Sequence, residues 1–111
     1  MEKTVDVVII GGGPAGLSAA LYTARANLST VVLERGKIGG QIALTHEIAN
    51  FPGAILGTGE EPSGKELVTR MAEQAEKFGA EIFTGTVVRE IGIDGDKKTV
   101  TCKDGTIYKA T

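Results

Sequence analysis

Three glycines near the amino terminus have the spacing of a phosphate-binding turn. The segment "IGGGPAG" places Gly11, Gly13 and Gly16 as G-x-G-x-x-G, directly after an apolar run and before a helical pattern. In such a turn the first glycine permits the bend, the second lets backbone N–H groups approach a pyrophosphate, and the third lets helix and strand pack closely. The positive end of the helix also favours phosphate. The spacing therefore predicts a dinucleotide-binding turn.

A carboxylate stands where the ribose of such a dinucleotide would lie. Glu34 ends the second apolar run, "TVVLE", 23 residues after Gly11. A carboxylate at this point accepts both hydrogen bonds of a ribose diol and repels a 2′-phosphate, so the sequence favours FAD or NAD over NADP. The glycine motif does not choose between FAD and NAD. The alternative interpretation is a glycine-rich turn that binds nothing, with Glu34 as an ordinary solvated charge.

The elements that position these residues follow from the apolar pattern. The run at 5–10, interrupted by Asp6, predicts one parallel strand buried on both faces. Pro14 suits the first turn of a helix that continues to about Arg25, and Asn27 is expected to stop it. A second strand follows in "TVVLE". Strand, helix and strand together predict a βαβ unit.

The second half of the chain predicts another helix and a β-meander. Ser63 and Glu66 have the spacing of a capping box, and Gly79 closes the helix that they begin. "AEIFTG" is a third strand candidate. Asp94-Gly95 and Asp104-Gly105 separate three β-prone runs, which predicts two hairpins. One face of the helix carries Leu67, Met71, Ala75 and Phe78.

These elements predict an α/β fold, a Rossmann-like dinucleotide-binding domain with a parallel βαβ core and an antiparallel β-meander. Residues 35–62 show little periodicity, apart from one short helical turn expected around 41–45. The 111 residues are enough material for one domain with a real core.

Composition excludes several classes of function. With 12 basic and 14 acidic residues, the net charge of −2 gives no reason to expect nucleic acid or a membrane as partner. Cys102 is the only cysteine, which excludes an internal disulfide framework and is typical of a reducing compartment. The amino-terminal apolar run is too short to span a membrane, so a cytoplasmic protein is expected. His46, the only histidine, has no companion that indicates a metal site or a catalytic nucleophile.

Three segments resemble the low-molecular-weight thioredoxin reductases, members of the FAD-dependent pyridine nucleotide-disulfide oxidoreductase superfamily. They are "GGGPAGLSAALYTARANL" at 11–28, "GGQIALTHEIANFPG" at 39–53 and "SGKELVTRMAEQAEKFGAEI" at 63–82. The resemblance covers most of residues 5–93. In the meander only the pattern of β-prone runs and turns matches the family. Since the second segment contacts the flavin in that family, the resemblance implies FAD rather than NAD.

The resemblance also implies a role for each site residue. Glu34 and Arg35 would lie at the adenosine ribose, and the Thr86–Val87 backbone would meet the adenine. The amides of Gln41 and Asn50 would hydrogen-bond the isoalloxazine and ribityl groups, with capping of loop backbone as the alternative. The glycine turn would bind the FAD pyrophosphate. The implied cofactor-binding set is Gly11, Gly13, Pro14, Ala15, Gly16, Glu34, Arg35, Gly40, Gln41, Thr45, Asn50, Thr86 and Val87.

In that family a C-x-x-C disulfide and a second glycine-rich motif lie in a separate pyridine-nucleotide domain, and neither motif occurs in this chain. We therefore expect residues 1–111 to be the amino-terminal part of the FAD-binding domain of a longer, homodimeric enzyme, and to be inactive alone. The longer enzyme would pass electrons from NADPH or ferredoxin through FAD to a redox disulfide and on to thioredoxin. The long loop "AILGTGEEPSG" leaves the electron donor open.

Two other hypotheses remain at this point. One is a related flavoprotein of the same superfamily, similar to a ferredoxin–NADP reductase or a peroxiredoxin reductase, which would differ at "THEIANFPG". The other, from a different class, is a non-catalytic Rossmann module that senses NAD. A flavin spectrum separates the second hypothesis from the first.

Overall fold

The computed structural model describes residues 1–44 and 63–111. Within these ranges the chain forms two sheets, two α-helices and a short 3-10 helix. In chain order the elements are β1 (Glu2–Val5), β2 (Val7–Ile10), α1 (Pro14–Arg25), β3 (Thr30–Leu33), the 3-10 helix (Gly40–Leu44), α2 (Gly64–Lys77), β4 (Glu81–Phe83), β5 (Val88–Asp94), β6 (Lys97–Cys102) and β7 (Ile107–Ala110).

The two sheets are stacked, with the helices on the outer face of one of them. The first sheet is parallel, in the order β2-β3-β4, and the second has the order β1-β7-β6-β5. Strands β5, β6 and β7 pair antiparallel, which confirms the predicted meander. Strand β1 adds to the meander by parallel pairing with β7. The predicted α/β fold class, a Rossmann-like βαβ core with a meander, is confirmed.

Strand β3 is the centre of the fold, because each of its faces packs against a different layer. All four of its residues are at most 2% exposed. Val32 packs against the helices, in a cluster with Ala20 of α1 and Ala75 of α2. Val31 and Leu33 point the other way, into a cluster of meander residues that comprises Val100, Cys102 and Tyr108. Both faces of β3 are thus covered, as its uninterrupted apolar sequence predicts.

The prediction of a single buried strand over residues 5–10 is wrong. The run splits at Asp6 into β1 and β2, which belong to different sheets. The Asp6 carboxylate accepts hydrogen bonds from the N–H and the hydroxyl of Ser29, and the N–H of Asp6 donates to the Ser29 hydroxyl at 2.8 Å. This reciprocal contact bends the chain between the sheets. The residues of β1 and β2 are half-buried or exposed, because both strands lie at sheet edges.

Both helices end where the sequence predicts. Asn27 follows α1 in the left-handed region at φ 63°, and Gly79 follows α2 at φ 107°. At the start of α2 the Ser63 hydroxyl accepts the N–H of Glu66 at 3.0 Å, which confirms the predicted cap. The predicted apolar face of α2 is wrong at Phe78, which is 46% exposed. Phe78 lies beyond the last helical turn and carries the guanidinium of Arg25 over its ring.

The meander turns use the predicted Asp-Gly pairs. Gly95 lies at φ 65° and Gly105 at φ 97°, conformations that glycine adopts without strain. In the second turn Asp104 accepts the N–H of Thr106 at 2.9 Å. Cys102 ends β6 and is 1% exposed. This burial raises the pKa of its thiol.

None of the helices within residues 1–44 and 63–111 is long and apolar enough to cross a membrane.

The cap of α2 gives a direct stability test. Ser63→Ala removes the acceptor for the Glu66 N–H, so we expect a loss of about 1 kcal/mol in the free energy of unfolding. Ser63→Asp retains a capping acceptor and is the matched control, with stability close to wild type. Urea denaturation measures both variants, and equal losses in the two would contradict the capping role.

Candidate dinucleotide-binding site

The glycine turn lies between β2 and α1 and has the predicted geometry. Gly11 lies at φ 112°, a conformation that side chains rarely adopt, and its N–H donates to the Leu33 carbonyl at 2.9 Å. A Cβ atom at Gly16 would overlap the carbonyl oxygen of Gly11. Gly11 and Gly16 are therefore required by the fold itself.

Gly13 differs from the other two glycines of the motif. Its φ of −81° suits any residue, and the nearest atom to a Cβ built there is the Gly39 carbonyl oxygen, at 3.9 Å. Within the described residues nothing in the folded chain requires a glycine at this position. The open space beside Gly13 is instead what close approach of a ligand to the backbone would require.

The start of α1 supplies donors at the same place. Gly13 is the N-cap and Pro14 occupies the first turn, where its missing N–H is not needed. The first hydrogen bond of the helix runs from the Leu17 N–H to the Gly13 carbonyl. The N–H groups of Ala15 and Gly16 precede that bond, so they point out of the helix end, which carries about half a positive charge.

Glu34 follows β3 directly and its carboxylate contacts the glycine turn. One carboxylate oxygen, Oε1, accepts the N–H of Gly12 at 2.8 Å, and Oε2 accepts the N–H of Gly36 at 2.6 Å. These two hydrogen bonds, the Gly12 bond first, lower the pKa of Glu34, and the charge of Arg35 lowers it further. Glu34 is therefore a carboxylate ion at neutral pH.

A cleft of about 340 Å³ opens beside this carboxylate. That volume is within the range of small-molecule sites, about 300 to 1,000 Å³. Its wall is built by the end of β3 and by the segment before β5, where the Thr86 N–H donates to the Glu34 carbonyl at 2.9 Å. The cleft is lined by Ile10, Gly11, Leu33, Glu34, Arg35, Thr86, Val87 and Val88. The structure thus brings together the residues assigned by resemblance to the adenosine end.

Of the residues assigned to the flavin end, the structure describes Gly40 and Gln41, both in the 3-10 helix. The Gly39 N–H donates to the Gly12 carbonyl at 2.7 Å, which places the 3-10 helix beside the turn. A Cβ atom at Gly40 would lie 3.9 Å from the Cα of Gly13. Gln41 is exposed at the start of the 3-10 helix, close to the predicted helical turn. Thr45, Asn50 and His46 lie outside the described residues.

Three further glycines lie at the site, although the sequence motif and the family resemblance do not single them out. They are Gly12, Gly36 and Gly39. Gly12 is buried, and a Cβ there would lie 3.1 Å from the Cβ of Glu34. A Cβ at Gly39 would lie 2.6 Å from a methyl carbon of Val68 on α2. The sequence signal was their position inside the glycine clusters "GGG" and "RGKIGG".

The model of the pyridine nucleotide-disulphide oxidoreductase family matches residues 5–111. The chain belongs to this family. It is 48% identical over 100 residues to a thioredoxin reductase of Peptoclostridium acidaminophilum, covering 90% of this chain and 30% of the relative. It is 49% identical over 109 residues to the thioredoxin reductase of Bacillus subtilis (strain 168), covering 98% and 32%.

Solved structures of thioredoxin reductases have the same fold as this chain. The thioredoxin reductase of Streptococcus pyogenes MGAS5005 superposes with a TM-score of 0.85 at 43% identity, over 96% of this chain and 33% of that one. The chain therefore spans about a third of the length of the relatives that it matches. Membership of this family implies a flavin cofactor.

Two glycine substitutions in the same turn should differ in their effect on stability. Gly16→Ala forces a Cβ into the Gly11 carbonyl, so we expect a loss of about 3 kcal/mol in the free energy of unfolding. Gly13→Ala has space and an ordinary φ, so its effect on unfolding should stay within about 1 kcal/mol. Urea denaturation measures both variants. Similar losses at the two positions would contradict the assigned geometry of the turn.

Proposed function

We propose that this chain binds FAD and is the amino-terminal part of the FAD-binding domain of a longer flavoprotein. The observation that carries the proposal is the ionised carboxylate of Glu34 at the junction of the glycine turn and the cleft of about 340 Å³. FAD rather than NAD is supported by the family, which implies a flavin.

Each group of site residues is assigned to one part of the dinucleotide. Adenine occupies the cleft against Val87 and the Thr86–Val87 backbone, and Glu34 accepts the ribose hydroxyls with Arg35 beside it. The pyrophosphate lies at the turn, where the N–H groups of Ala15 and Gly16 donate to it. The residues proposed to line the flavin side of the site are Gly40, Gln41, Thr45 and Asn50.

The charge of Glu34 also selects against one class of dinucleotide. A 2′-phosphate on the ribose would approach a carboxylate whose pKa is already lowered, so the two negative charges would repel each other. FAD has no phosphate at this position. The cleft therefore suits FAD and excludes NADP as the occupant of this site, whichever donor reduces the longer protein.

For the longer protein we propose thioredoxin reduction, because the relatives matched over nearly the whole chain are thioredoxin reductases. The flavin, when bound, supplies the step that accepts two electrons from a donor and delivers them to a disulfide. The donor (NADPH or ferredoxin), thioredoxin as acceptor, and a homodimeric, cytoplasmic enzyme are part of this proposal. Thioredoxin reduction by the full-length protein with NADPH and with reduced ferredoxin identifies the donor.

FAD binding tests the proposal on this chain and on the full-length protein. We expect FAD to bind in preference to NAD and NADP, as measured by flavin fluorescence and by competition. Glu34→Ala removes charge-assisted hydrogen bonds to the ribose, so it should weaken FAD binding by about 1–3 kcal/mol.

Glu73→Ala is the matched control, because Glu73 is an exposed glutamate on α2. It should leave FAD binding at the wild-type level. Binding of NAD without FAD would favour the NAD-sensing module instead. Unchanged FAD binding in Glu34→Ala would remove Glu34 from the ribose site.

A further inference from the structure

The side chain of Glu34 hydrogen-bonds the backbone of the phosphate-binding turn and of the loop after β3. The Gly12 N–H is buried, and a buried N–H requires an acceptor. Glu34 Oε1 provides that acceptor at 2.8 Å, while the Gly12 carbonyl accepts the Gly39 N–H at 2.7 Å. The N–H and the carbonyl of Gly12 are thus both hydrogen-bonded to residues outside the glycine turn.

The second carboxylate oxygen holds the loop that follows β3. Oε2 accepts the N–H of Gly36 at 2.6 Å, and the Gly36 carbonyl in turn accepts the N–H of Gly85 at 3.3 Å. One carboxylate therefore joins the turn after β2 to the loop after β3. We propose that Glu34 is a positioning residue, which fixes the phosphate-binding turn by holding the N–H groups of Gly12 and Gly36 on its two oxygens. This inference rests on the proposed function, since it concerns the same dinucleotide site.

Positioning and ribose binding are compatible on one side chain. Each carboxylate oxygen has two lone pairs, so Oε1 and Oε2 retain acceptor capacity for ribose hydroxyls after binding the two amides. The Gly12 N–H is already occupied, so the pyrophosphate takes its donors from the helix start at Ala15 and Gly16. The two hydrogen bonds of Glu34 are thus expected to persist when the dinucleotide binds.

The length of the side chain distinguishes positioning from ribose binding alone. A Cβ at Gly12 would lie 3.1 Å from the Cβ and 3.2 Å from the Cγ of Glu34, so the turn packs along the whole side chain. Aspartate keeps the charge and can accept from a ribose diol, but it is one methylene shorter and cannot reach both amides. Glutamine keeps the length, but its NH2 end is a donor and cannot accept an N–H.

A pH titration followed by NMR tests the positioning contact without any ligand. In the 15N-labelled chain, the amide protons of Gly12 and Gly36 should shift together with one common midpoint, at a pH below the ordinary range of a glutamate carboxyl, since a single carboxyl of lowered pKa accepts both. Glu34→Gln should abolish the common step, and Glu73→Gln should retain it. Separate midpoints for the two amides, or the same step in Glu34→Gln, would overturn the proposal.

Binding of ligand fragments tests the consequence for the turn. Inorganic pyrophosphate probes the turn alone and adenosine probes the ribose site alone. If Glu34 positions the turn, Glu34→Asp should weaken pyrophosphate binding by about fivefold, the effect of losing one hydrogen bond. Glu73→Asp is the control and should bind pyrophosphate as the wild type does.

A role limited to the ribose predicts a different pattern in the fragments. Pyrophosphate binding that is unchanged in Glu34→Asp, or tighter in Glu34→Gln because a repelling charge is gone, would overturn positioning. Failure of the wild-type chain to bind either fragment would contradict the proposed dinucleotide function, while the shared amide titration tests positioning independently. The two failures are therefore distinguishable.

Discussion

The carboxylate of Glu34 is the interaction on which the arrangement of the site depends. Its side chain holds the glycine turn and the loop after β3, and its backbone is held from both directions as well. The Glu34 N–H donates to the Phe83 carbonyl of β4, and the Glu34 carbonyl accepts the Thr86 N–H. Four hydrogen bonds at one residue thus connect the glycine turn, the loop after β3, strand β4 and the segment before β5.

Glu34 can connect these segments because the strand that precedes it, β3, is held rigidly. The strand is buried between the helices and the meander, and it pairs with β2 on one side and β4 on the other. The carboxyl end of β3 therefore has little conformational freedom, and the Glu34 side chain that follows it has a defined position. A site built at the end of a rigid central strand requires little rearrangement when a ligand arrives.

The features that the sequence predicted are those set by local signals. The glycine spacing, the start of α1 at Pro14, the Ser63 cap and the Asp-Gly turns each depend on neighbours within a few residues, and all were confirmed. The predicted membership of the pyridine nucleotide-disulphide oxidoreductase family is also confirmed. The ribose role of Glu34 and the flavin roles of Gly40 and Gln41 stay predictions, as do those of Thr45 and Asn50, outside the described residues.

The features that the sequence could not predict depend on contacts between distant segments. The break at Asp6 is made by Ser29, and β1 pairs with β7 at the other end of the chain. In the same way, the need for glycine at Gly12 arises from a side chain 22 residues away. Local patterns carry no information about such partners, and the G-x-G-x-x-G pattern itself allows any residue at position 12.

A crystal structure of the protein with FAD bound tests the central claim most directly. We expect the Glu34 carboxylate to accept the ribose hydroxyls while Oε1 keeps the Gly12 N–H at a distance near 2.8 Å, with the glycine turn unmoved. A Glu34 side chain that rotates away from Gly12 to reach the ribose, leaving the Gly12 N–H to the pyrophosphate, would contradict the account.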